Sequence, residues 1–122
     1  MVKISACVIT KNEEINITNW LKCMKLLADE MIVVDTGSTD NTISIATTFG
    51  ARVYPFCWMD DFSAARNYGL RQAHGHWILI LDADEFLAPI SREELIGFMN
   101  ASPAEGYYFR ISSYLDDHHK NV

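Results

Sequence analysis

Five short apolar segments alternate along this chain with stretches that have helical periodicity. The apolar segments are Ile4–Thr10, Met31–Asp35, Arg52–Phe56, Trp77–Leu81 and Tyr107–Ser113. Segments of this length, separated by enough residues for a helix, are typical of βαβ units, in which parallel strands need a long crossover connection. The pattern therefore predicts an α/β fold with a mainly parallel sheet.

The segment between the first two strands has one apolar helical face. Its apolar residues recur with helical spacing at Ile17, Trp20, Leu21, Met24, Leu27 and Ala28. Such spacing predicts an amphipathic helix that packs on the sheet. Between the second and third strands, Asp40 or Asn41 is expected to cap a second helix, and Gly50 is a typical residue for its C-terminal end.

Two more helices are predicted in the second half of the chain. One is expected to run from about Ser63 to His74 and to end at Gly75. For the other, Ser91-Arg-Glu-Glu94 has the spacing of a capping box, in which the serine and the glutamate each bind the backbone amide of the other. We expect this fourth helix to end before Ser102 and the proline that follows it.

The fourth apolar segment ends abruptly in acidic residues. Trp77–Leu81 is apolar at every position and is followed by Asp82, Ala83 and Asp84, which predicts a strand buried on both faces with carboxylates at its C-terminal end. Ligands of open α/β sheets bind outside the carboxyl ends of the strands. Two carboxylates there repel each other unless they share a cation, so we expect a divalent metal ion that also binds phosphate. The alternative is a solvated acidic turn.

A second acidic strand end is predicted at Asp35, on the same edge of the sheet as Asp82. The turn that follows, Thr36–Thr39, contains Gly37, which permits a tight turn and a close approach to a ligand. It also offers hydroxyl and amide groups near a helix N-terminus. The alternative is an Asx-type turn with Asp40 as the helix cap. Two acidic strand ends on one edge favour the ligand site.

The segment after the first strand is a further candidate for this site. Thr10-Lys-Asn-Glu-Glu14 lies at the same edge of the predicted sheet. Lys11 can neutralise phosphate, and Glu13 can hold a neighbouring loop. The alternative is a solvated loop in which Asn12 caps the next helix. Both interpretations fit these residues equally well.

The predicted third helix carries two polar residues in a segment that is otherwise suited to burial. Small residues at positions 63 to 65 allow close packing on the sheet, whereas Arg66 and Asn67 are polar. An arginine in such a place needs an acidic or phosphate partner. A phosphate would make it part of the ligand site, and an ion pair with Asp60 or Asp61 is the structural alternative.

The composition of the chain argues against several classes of protein. The chain has 122 residues, enough for one domain with a core, and its 49% hydrophobic and 21% charged residues argue against disorder. A formal net charge of −6 and a pI near 5.0 argue against non-specific binding of nucleic acid. No apolar run approaches the ~20 residues of a membrane span, so we expect a cytoplasmic protein. Cys7, Cys23 and Cys57 lack CxxC spacing, which indicates reduced, packed thiols.

Four ordered blocks resemble the nucleotide-binding half of family 2 glycosyltransferases with the GT-A fold. The blocks are Ile9-Thr-Lys-Asn-Glu-Glu14, Val34-Asp-Thr-Gly-Ser-Thr-Asp40, Ser63-Ala-Ala-Arg-Asn67 and Leu81-Asp-Ala-Asp-Glu85. A DxD motif alone is weakly specific, but four blocks in this order and spacing are strongly specific. With Gly50-Ala-Arg-Val53 and Trp58, the Asp-Thr-Gly-Ser version is particularly similar to the bacterial branch often fused to tetratricopeptide repeats.

The resemblance implies a three-layer, Rossmann-like domain that binds a nucleotide sugar. Together with the arguments from individual residues, it gives these candidates for donor binding: Thr10, Lys11, Asn12, Glu13, Asp35, Gly37, Ser38, Arg66, Asn67, Asp82 and Ala83. Thr10 and the residues 11–13 would line the pocket for base and ribose, and Asp35 would bind the base. Asp82 would lie near the ribose or a metal-bound water. Asp84, with Asp82, would hold Mn2+ or Mg2+ that bridges the donor diphosphate.

The implied reaction transfers a sugar, with inversion, from a nucleoside diphosphate donor to a hydroxyl acceptor of unknown identity. UDP-sugar is the expected donor, although Thr36 replaces an acid that often binds uracil in the family. The metal ion and Arg66 would stabilise the departing nucleoside diphosphate. The family's general base lies well downstream of the DxD motif, so we expect it beyond residue 122 and assign no catalytic residue.

We expect a donor-binding part, residues 1–115, followed by a tail, 116–122, whose polar composition we interpret as a truncation point. Self-association through the truncated edge is expected. One alternative is a truncated nucleotide-sugar-binding module without transfer activity. The other is an Asp-x-Asp phosphotransferase of the haloacid dehalogenase type, whose motif continues with Thr or Val and normally opens the domain. Here Glu85 and Phe86 follow the motif, two-thirds along the chain.

Overall fold

The structure is a computed structural model that describes residues 4–57, 61–84, 91–101 and 108–110. Its strands are β1 (Ile4–Thr10), β2 (Glu30–Asp35), β3 (Arg52–Pro55), β4 (Trp77–Ile80) and β5 (Tyr108–Arg110). Its helices are α1 (Glu14–Leu27), α2 (Thr42–Thr48), α3 (Phe62–Gln72) and α4 (Arg92–Ala101). The predicted alternation is confirmed, with most boundaries shifted by one or two residues. The rest of the predicted fifth strand and the tail 116–122 lie outside the described residues.

The strands pair in parallel in the order β3-β2-β1-β4-β5. The strand order reverses between β1 and β4, the topological switch point at which doubly wound α/β sheets place their ligands. In the register Thr10 pairs with Asp35, and Cys7 pairs with Ile80. The carboxyl ends of β2, β1 and β4 therefore meet at one edge, and the predicted Rossmann-like α/β arrangement is confirmed.

One face of the sheet is covered by α1, α2 and α4. Buried strand residues such as Val8 and Val33 pack there with Trp20 of α1, Ala46 of α2 and Leu95 of α4. The predicted apolar face of α1 is confirmed, because Ile17, Trp20, Leu21, Met24 and Leu27 are all buried. This face contains the larger of the two apolar clusters.

The opposite face is covered by α3. Its buried Ala65 packs with Cys7, Val34 and Ile80 from three adjacent strands. Gly69 is the point of closest approach, because a Cβ there would lie 2.9 Å from Cγ2 of Val34. Of the small residues predicted at 63 to 65, Ala65 is buried against the sheet and Ser63 is exposed, while Gly69, which the prediction did not include, also packs closely.

At the amino-terminal edge the side chain of Glu30 joins β2 to its surroundings. The carboxylate accepts hydrogen bonds from Ser5 Oγ at 2.5 Å and from the N–H of His74 at 2.6 Å, and it forms an ion pair with Arg52. Only 6% of the side chain is exposed. Desolvation raises the pKa of Glu30, but the hydrogen bonds and the charge of Arg52 outweigh it and lower this pKa below its ordinary value.

Gly75 packs against Ser5 and does not end a helix, which corrects the prediction for this residue. Helix α3 ends at Gln72 with Ala73 in an extended conformation. The N–H of Gly75 donates to Ser5 Oγ at 2.7 Å. A Cβ at Gly75 would lie 2.5 Å from that oxygen and 2.7 Å from the nitrogen of Ser5. A contact with β1 therefore excludes a side chain here.

Two other predicted helix ends are confirmed. The N–H of Glu94 donates to Ser91 Oγ at 3.1 Å, and the N–H of Ser91 donates to Glu94 Oε1 at 3.2 Å, the reciprocal pattern of a capping box. Gly50 follows α2 with a φ of +89°, the left-handed conformation in which glycine commonly ends a helix. Among the helices that the structure describes, none has the length and apolar character needed to span a membrane.

The cysteines carry free thiols that differ in burial. Cys7 lies within the sheet, where burial and the nearby charge of Glu30 raise its pKa to about 12. Cys23 is half-buried, and burial raises its pKa as well. Cys57 is exposed, so the prediction of packed thiols is wrong for this residue.

Candidate functional site

Three neighbouring strands bring the predicted acidic residues to one edge of the sheet. Thr10 ends β1, Asp35 ends β2, and Asp82 follows the last residue of β4 by two positions. Because β1 pairs with both β2 and β4, these strand ends are neighbours. Adjacent strands of a sheet lie about 4.8 Å apart. The predicted placement of two acidic strand ends on one edge is therefore confirmed.

The carboxylate of Asp35 is buried and accepts hydrogen bonds from the end of β1 and from the turn after β2. Oδ1 accepts from Thr10 Oγ1 at 2.9 Å and from Ser38 Oγ at 2.5 Å. Oδ2 accepts from the N–H groups of Gly37 at 3.1 Å and Ser38 at 2.8 Å. A carboxylate has about four acceptor positions, and all are used in a residue that is 3% exposed. Asp35 thus organises the turn after β2, and its contact with a base stays a prediction.

Asn12 joins the loop after β1 to the loop after β2. Its N–H donates to Ser38 Oγ at 2.8 Å, and its Oδ1 accepts from the N–H of Thr39 at 2.7 Å. Its φ of +54° lies in the left-handed region, which asparagine tolerates better than most residues. The N-cap position of α1 is Glu13, so the alternative in which Asn12 caps this helix is wrong. Asn12 binds the neighbouring loop instead.

Asp40 holds the first turns of two helices. Its carboxylate accepts from the N–H of Thr42 at 2.9 Å and Oγ1 of Thr42 at 2.5 Å in α2, and from the N–H of Glu14 at 3.2 Å in α1. Desolvation raises the pKa of Asp40, but these hydrogen bonds outweigh it and hold the pKa below its ordinary value. Asn41 occupies the N-cap position of α2, but the side chain that accepts the capping hydrogen bonds is that of Asp40.

Every backbone N–H from Thr36 to Thr39 donates a hydrogen bond within the protein. The acceptors, in chain order, are Thr10 O, Asp35 Oδ2, Asp35 Oδ2 and Asn12 Oδ1. Gly37 has a φ of +120°, which confirms the predicted tight turn. The amides that were predicted to face a ligand are therefore already used, and binding of a phosphate by this turn would require breaking one of these bonds.

The acidic segment 82–84 directly follows the buried fourth strand. Asp82 is half-buried, Ala83 is 6% exposed, and Asp84 is exposed. The carbonyl of Leu81, just before this segment, accepts a buried hydrogen bond of 2.7 Å from Nε1 of Trp20 in α1. This hydrogen bond ties the chain to α1 directly before the two acids.

The carboxylates of Asp82 and Asp84 are suited to a divalent metal ion whose other ligands are waters and phosphates. Within the described ranges, no three His, Cys, Asp or Glu side chains are grouped closely enough to hold a metal ion. Mg2+ is commonly held by one or two carboxylates, while waters and substrate phosphates complete its coordination. Two oxygen-donor side chains therefore fit a metal that arrives with a diphosphate better than an ion held by protein ligands alone.

Phe62, the first residue of α3, lines two cavities at this edge. One has a volume of about 20 Å³, lies between α3 and the sheet, and also borders Arg66 and Asp82. The other is an open cleft of about 350 Å³ lined by Ile9, Thr10, Lys11, Glu13, Thr36 and Phe62. The guanidinium carbon of Arg66 lies 4.9 Å from the centroid of the Phe62 ring, within the range of a cation–π contact.

The two polar residues predicted on α3 differ in their surroundings. Arg66 is half-buried beside Phe62, whereas Asn67 is exposed. Asp61, one of the two ion-pair partners proposed for Arg66, accepts from the N–H of Ala64 at 3.1 Å and caps α3. Asp60 lies outside the described residues. That Arg66 binds a phosphate therefore stays a prediction.

Sequence reasoning misses two residues of this edge, Trp20 and Phe62. Trp20 belongs to an apolar helical stripe, and nothing in its spacing indicates that its indole N–H binds the residue before the acidic segment. Phe62 is an apolar residue at a helix start, which by itself predicts a core position. Either residue could have been found only by knowing that its helix lies against the carboxyl edge of the sheet, and that depends on the tertiary fold.

Comparison with known proteins gives consistent matches. The family model described as Glycosyl transferase family 2 matches residues 5–121. The chain is 48% identical over 87 residues to a TPR repeat-containing protein of Synechococcus elongatus, covering 71% of this chain and 22% of that protein. It is 36% identical over 121 residues to an uncharacterized glycosyltransferase of Rickettsia felis, covering 99% of this chain and 42% of that protein. The chain thus spans less than half the length of these curated relatives.

Solved structures share the fold. The chain is similar to glucosyl-3-phosphoglycerate synthase from Mycobacterium tuberculosis in complex with Mn2+, UDP and glucosyl-3-phosphoglycerate, with a TM-score of 0.59 and 29% identity over 68% of this chain and 34% of that one. A complex of glucosyl-3-phosphoglycerate synthase from the same organism with Mg2+ and UDP matches with a TM-score of 0.59, 29% identity and the same coverage, 68% and 34%. These similarities support the predicted three-layer arrangement and the use of a divalent metal among structural relatives.

Proposed function

The chain belongs to glycosyl transferase family 2, and on that premise we propose that it binds a nucleoside diphosphate sugar, UDP-sugar first among the candidates, at the carboxyl edge of its sheet. The sugar passes with inversion to a hydroxyl acceptor, assisted by Mn2+ or Mg2+. The observation that carries this proposal is the position of Asp82 and Asp84, directly after β4 and beside the loops that follow β1 and β2. The UDP and Mn2+ complex of a structural relative supports it.

The acidic segment holds the metal side of the proposed site. Asp84 is exposed and would coordinate the ion, while half-buried Asp82 would lie near the ribose or a metal-bound water. When bound, the ion supplies positive charge that stabilises the departing nucleoside diphosphate. Arg66, whose cavity includes Asp82, is placed to add a second positive charge on the same side. Ala83 would contribute through its backbone, because its side chain is buried.

The loops after β1 and β2 hold the proposed base and ribose side. Lys11, which is exposed at the cleft, provides the positive charge there. Two of the four hydrogen bonds of Asp35 hold the hydroxyl groups of Thr10 and Ser38, so we propose that Asp35 acts on the donor through these two residues. Asn12 keeps the two loops in contact, the N–H of Glu13 donates to Oγ1 of Thr42 in α2, and Gly37 permits the tight turn after β2. Exposed Asn67 lies further along α3.

The acceptor side of the reaction is left unassigned. Inverting transfer needs a general base that deprotonates the acceptor hydroxyl, and we name no such residue among those described. A nucleotide-sugar-binding module without transfer activity would use the same donor residues. Acceptor-dependent release of UDP from a UDP-sugar distinguishes the two functions. The phosphotransferase alternative finds no support among the relatives reported above.

Calorimetric titration of the chain with UDP tests the proposal. We expect binding in Mn2+ and its loss in EDTA, because two carboxylates repel a diphosphate unless a cation lies between them. Asp84→Asn should lower the metal-dependent affinity by at least tenfold. The matched control is Glu93→Gln, which removes the same charge from an exposed residue of α4 and should bind like the wild type. Equal affinity for UDP with and without the chelator would exclude the assignment of the DxD segment.

A further inference from the structure

We propose that Phe62 forms the wall against which the nucleobase of the donor stacks, an inference that rests on the proposed function and adds an aromatic subsite to it. The side chain is 45% exposed at the start of α3. An exposed phenylalanine by itself is ordinary on a protein surface. This one differs because its ring lines an open cleft that is otherwise bordered by the loops of the proposed donor site.

The cleft has the chemistry of a site for a flat heterocycle. Its volume of about 350 Å³ falls at the lower end of the roughly 300–1,000 Å³ of small-molecule sites. Ile9 and Phe62 give it apolar walls, and Lys11 and Glu13 give it a charged rim, while Thr10 and Thr36 also line it but are buried. A nucleobase has two apolar faces and a polar edge, so it can fill the space between the walls and direct its edge to the rim.

The sheet topology separates this cleft from the proposed metal side. The cleft is bordered by the ends of β1 and β2, whereas Asp82 and Asp84 follow β4, on the other side of β1. The centres of β2 and β4 are two strand spacings apart, about 10 Å. A nucleoside diphosphate lying across the three strands would place its phosphates near the acids and its base in the cleft. Phe62 also borders the small cavity of Arg66 and Asp82, so a contact of the ring with the sugar is the alternative that a comparison of UDP with UDP-glucose distinguishes.

The Phe62 ring is already held by a neighbour. Arg66 follows it by one helical turn, with its guanidinium carbon 4.9 Å from the ring centroid. This cation–π contact favours one ring position over others. A wall that is ordered before binding loses less side-chain entropy when the base arrives, which suits a stacking surface.

Calorimetry with two ligands tests the inference. Mn2+ with UDP contains the base, whereas Mn2+ with pyrophosphate contains the same kind of metal-bound diphosphate without a base. Phe62→Leu should lower the affinity for UDP by about tenfold, within the range that base–aromatic stacking gives on substitution, and should leave the affinity for pyrophosphate within about twofold. Phe62→Tyr keeps the ring and should restore UDP binding. Leu26→Ala is the control. Leu26 is exposed near the C-terminal end of α1, away from the carboxyl edge of the sheet, so this substitution should change neither affinity.

Each outcome bears on one of the two proposals. An equal loss for UDP and pyrophosphate in Phe62→Leu, or no loss for either, would overturn the stacking role while the proposed function stands. A loss for UDP-glucose that greatly exceeds the loss for UDP would place the ring against the sugar and also overturn it. A wild-type chain that binds neither ligand would refute the proposed function, and the subsite with it. Thermal melts check folding, and Phe62→Met replaces Phe62→Leu if the latter does not fold.

Discussion

Replacing Asp35 by asparagine should loosen the edge of the sheet at which the donor is proposed to bind. The carboxylate accepts two hydrogen bonds from the hydroxyl groups of Thr10 and Ser38 and two from backbone amides. Asparagine has the same shape but offers one oxygen and one NH2 group. If the oxygen keeps the amide bonds, the NH2 group faces the two hydroxyl oxygens, which must turn their protons elsewhere. Ser38 Oγ already accepts from the N–H of Asn12.

The expected cost is about 2–3 kcal/mol in the free energy of unfolding, since a hydrogen bond to a charged group contributes about 1.5–3 kcal/mol and a neutral one about 0.5–1.5 kcal/mol. Two bonds are weakened by the loss of charge, and two are rearranged in a site that is 3% exposed. About 1 kcal/mol shifts the melting temperature by about 4–8 °C for 60–100 residues and by about 2–4 °C for 150–250 residues. At 122 residues, Asp35→Asn should therefore melt roughly 8–12 °C below the wild type.

Urea unfolding, followed by the fluorescence of the buried Trp20 and Trp77, measures this cost. Asp84→Asn is the matched control, because it removes the same charge from an exposed side chain at the same edge. Its stability should lie within about 0.5 kcal/mol of the wild type. If Asp35→Asn unfolds at the same urea concentration as Asp84→Asn, the four hydrogen bonds do not stabilise the loops and the reasoning is refuted.

Three further predictions concern the rest of the sheet. Gly75→Ala should destabilise by about 2–4 kcal/mol in urea unfolding, because its Cβ would lie 2.5 Å from Ser5 Oγ and force overpacking and a lost hydrogen bond; unchanged stability would contradict this. The lowered folded-state pKa of Glu30 means that its charged form stabilises the fold above its ordinary pKa, about 4.5. The stability difference between wild type and Glu30→Gln should therefore be present at neutral pH and shrink as the pH falls below about 4, and a pH-independent difference would argue against it. Cys7, with its pKa raised to about 12, should resist iodoacetamide at mildly alkaline pH while exposed Cys57 is alkylated; equal alkylation in peptide mass mapping would disprove this.

Local pattern is sufficient for the elements of this fold. Trp77–Leu81 is apolar at every position because both faces of a central parallel strand are buried, and burial is the property that hydrophobic pattern reports. The capping box of Ser91 and Glu94 and the left-handed Gly50 are equally local, because each involves residues within one turn of the helix end. The edge that carries the site follows as well, since parallel strands share their carboxyl ends.

Local rules fail where the partner lies far along the chain. Asn12 is suited to a helix cap, yet its side chain binds Thr39, 27 positions away. Gly75 is suited to a helix end, yet it meets Ser5, 70 positions away. In both cases a tertiary contact satisfies the polar groups better than the local motif, and sequence spacing contains no information about which loops become neighbours.

The sequence by itself determined which residues follow each strand, and therefore which acids could reach a donor at the edge beside Asp35 and Asp82. Only the tertiary structure decided what those residues do there. It filled all four acceptor positions of Asp35 from the end of β1 and the turn after β2. It also joined Trp20 to the carbonyl of Leu81, 61 positions away, and placed Phe62 in the cleft. The physical reason is that hydrophobic periodicity encodes the burial of a side chain, whereas hydrogen-bond partners and cavity walls depend on distances between elements that pattern does not specify.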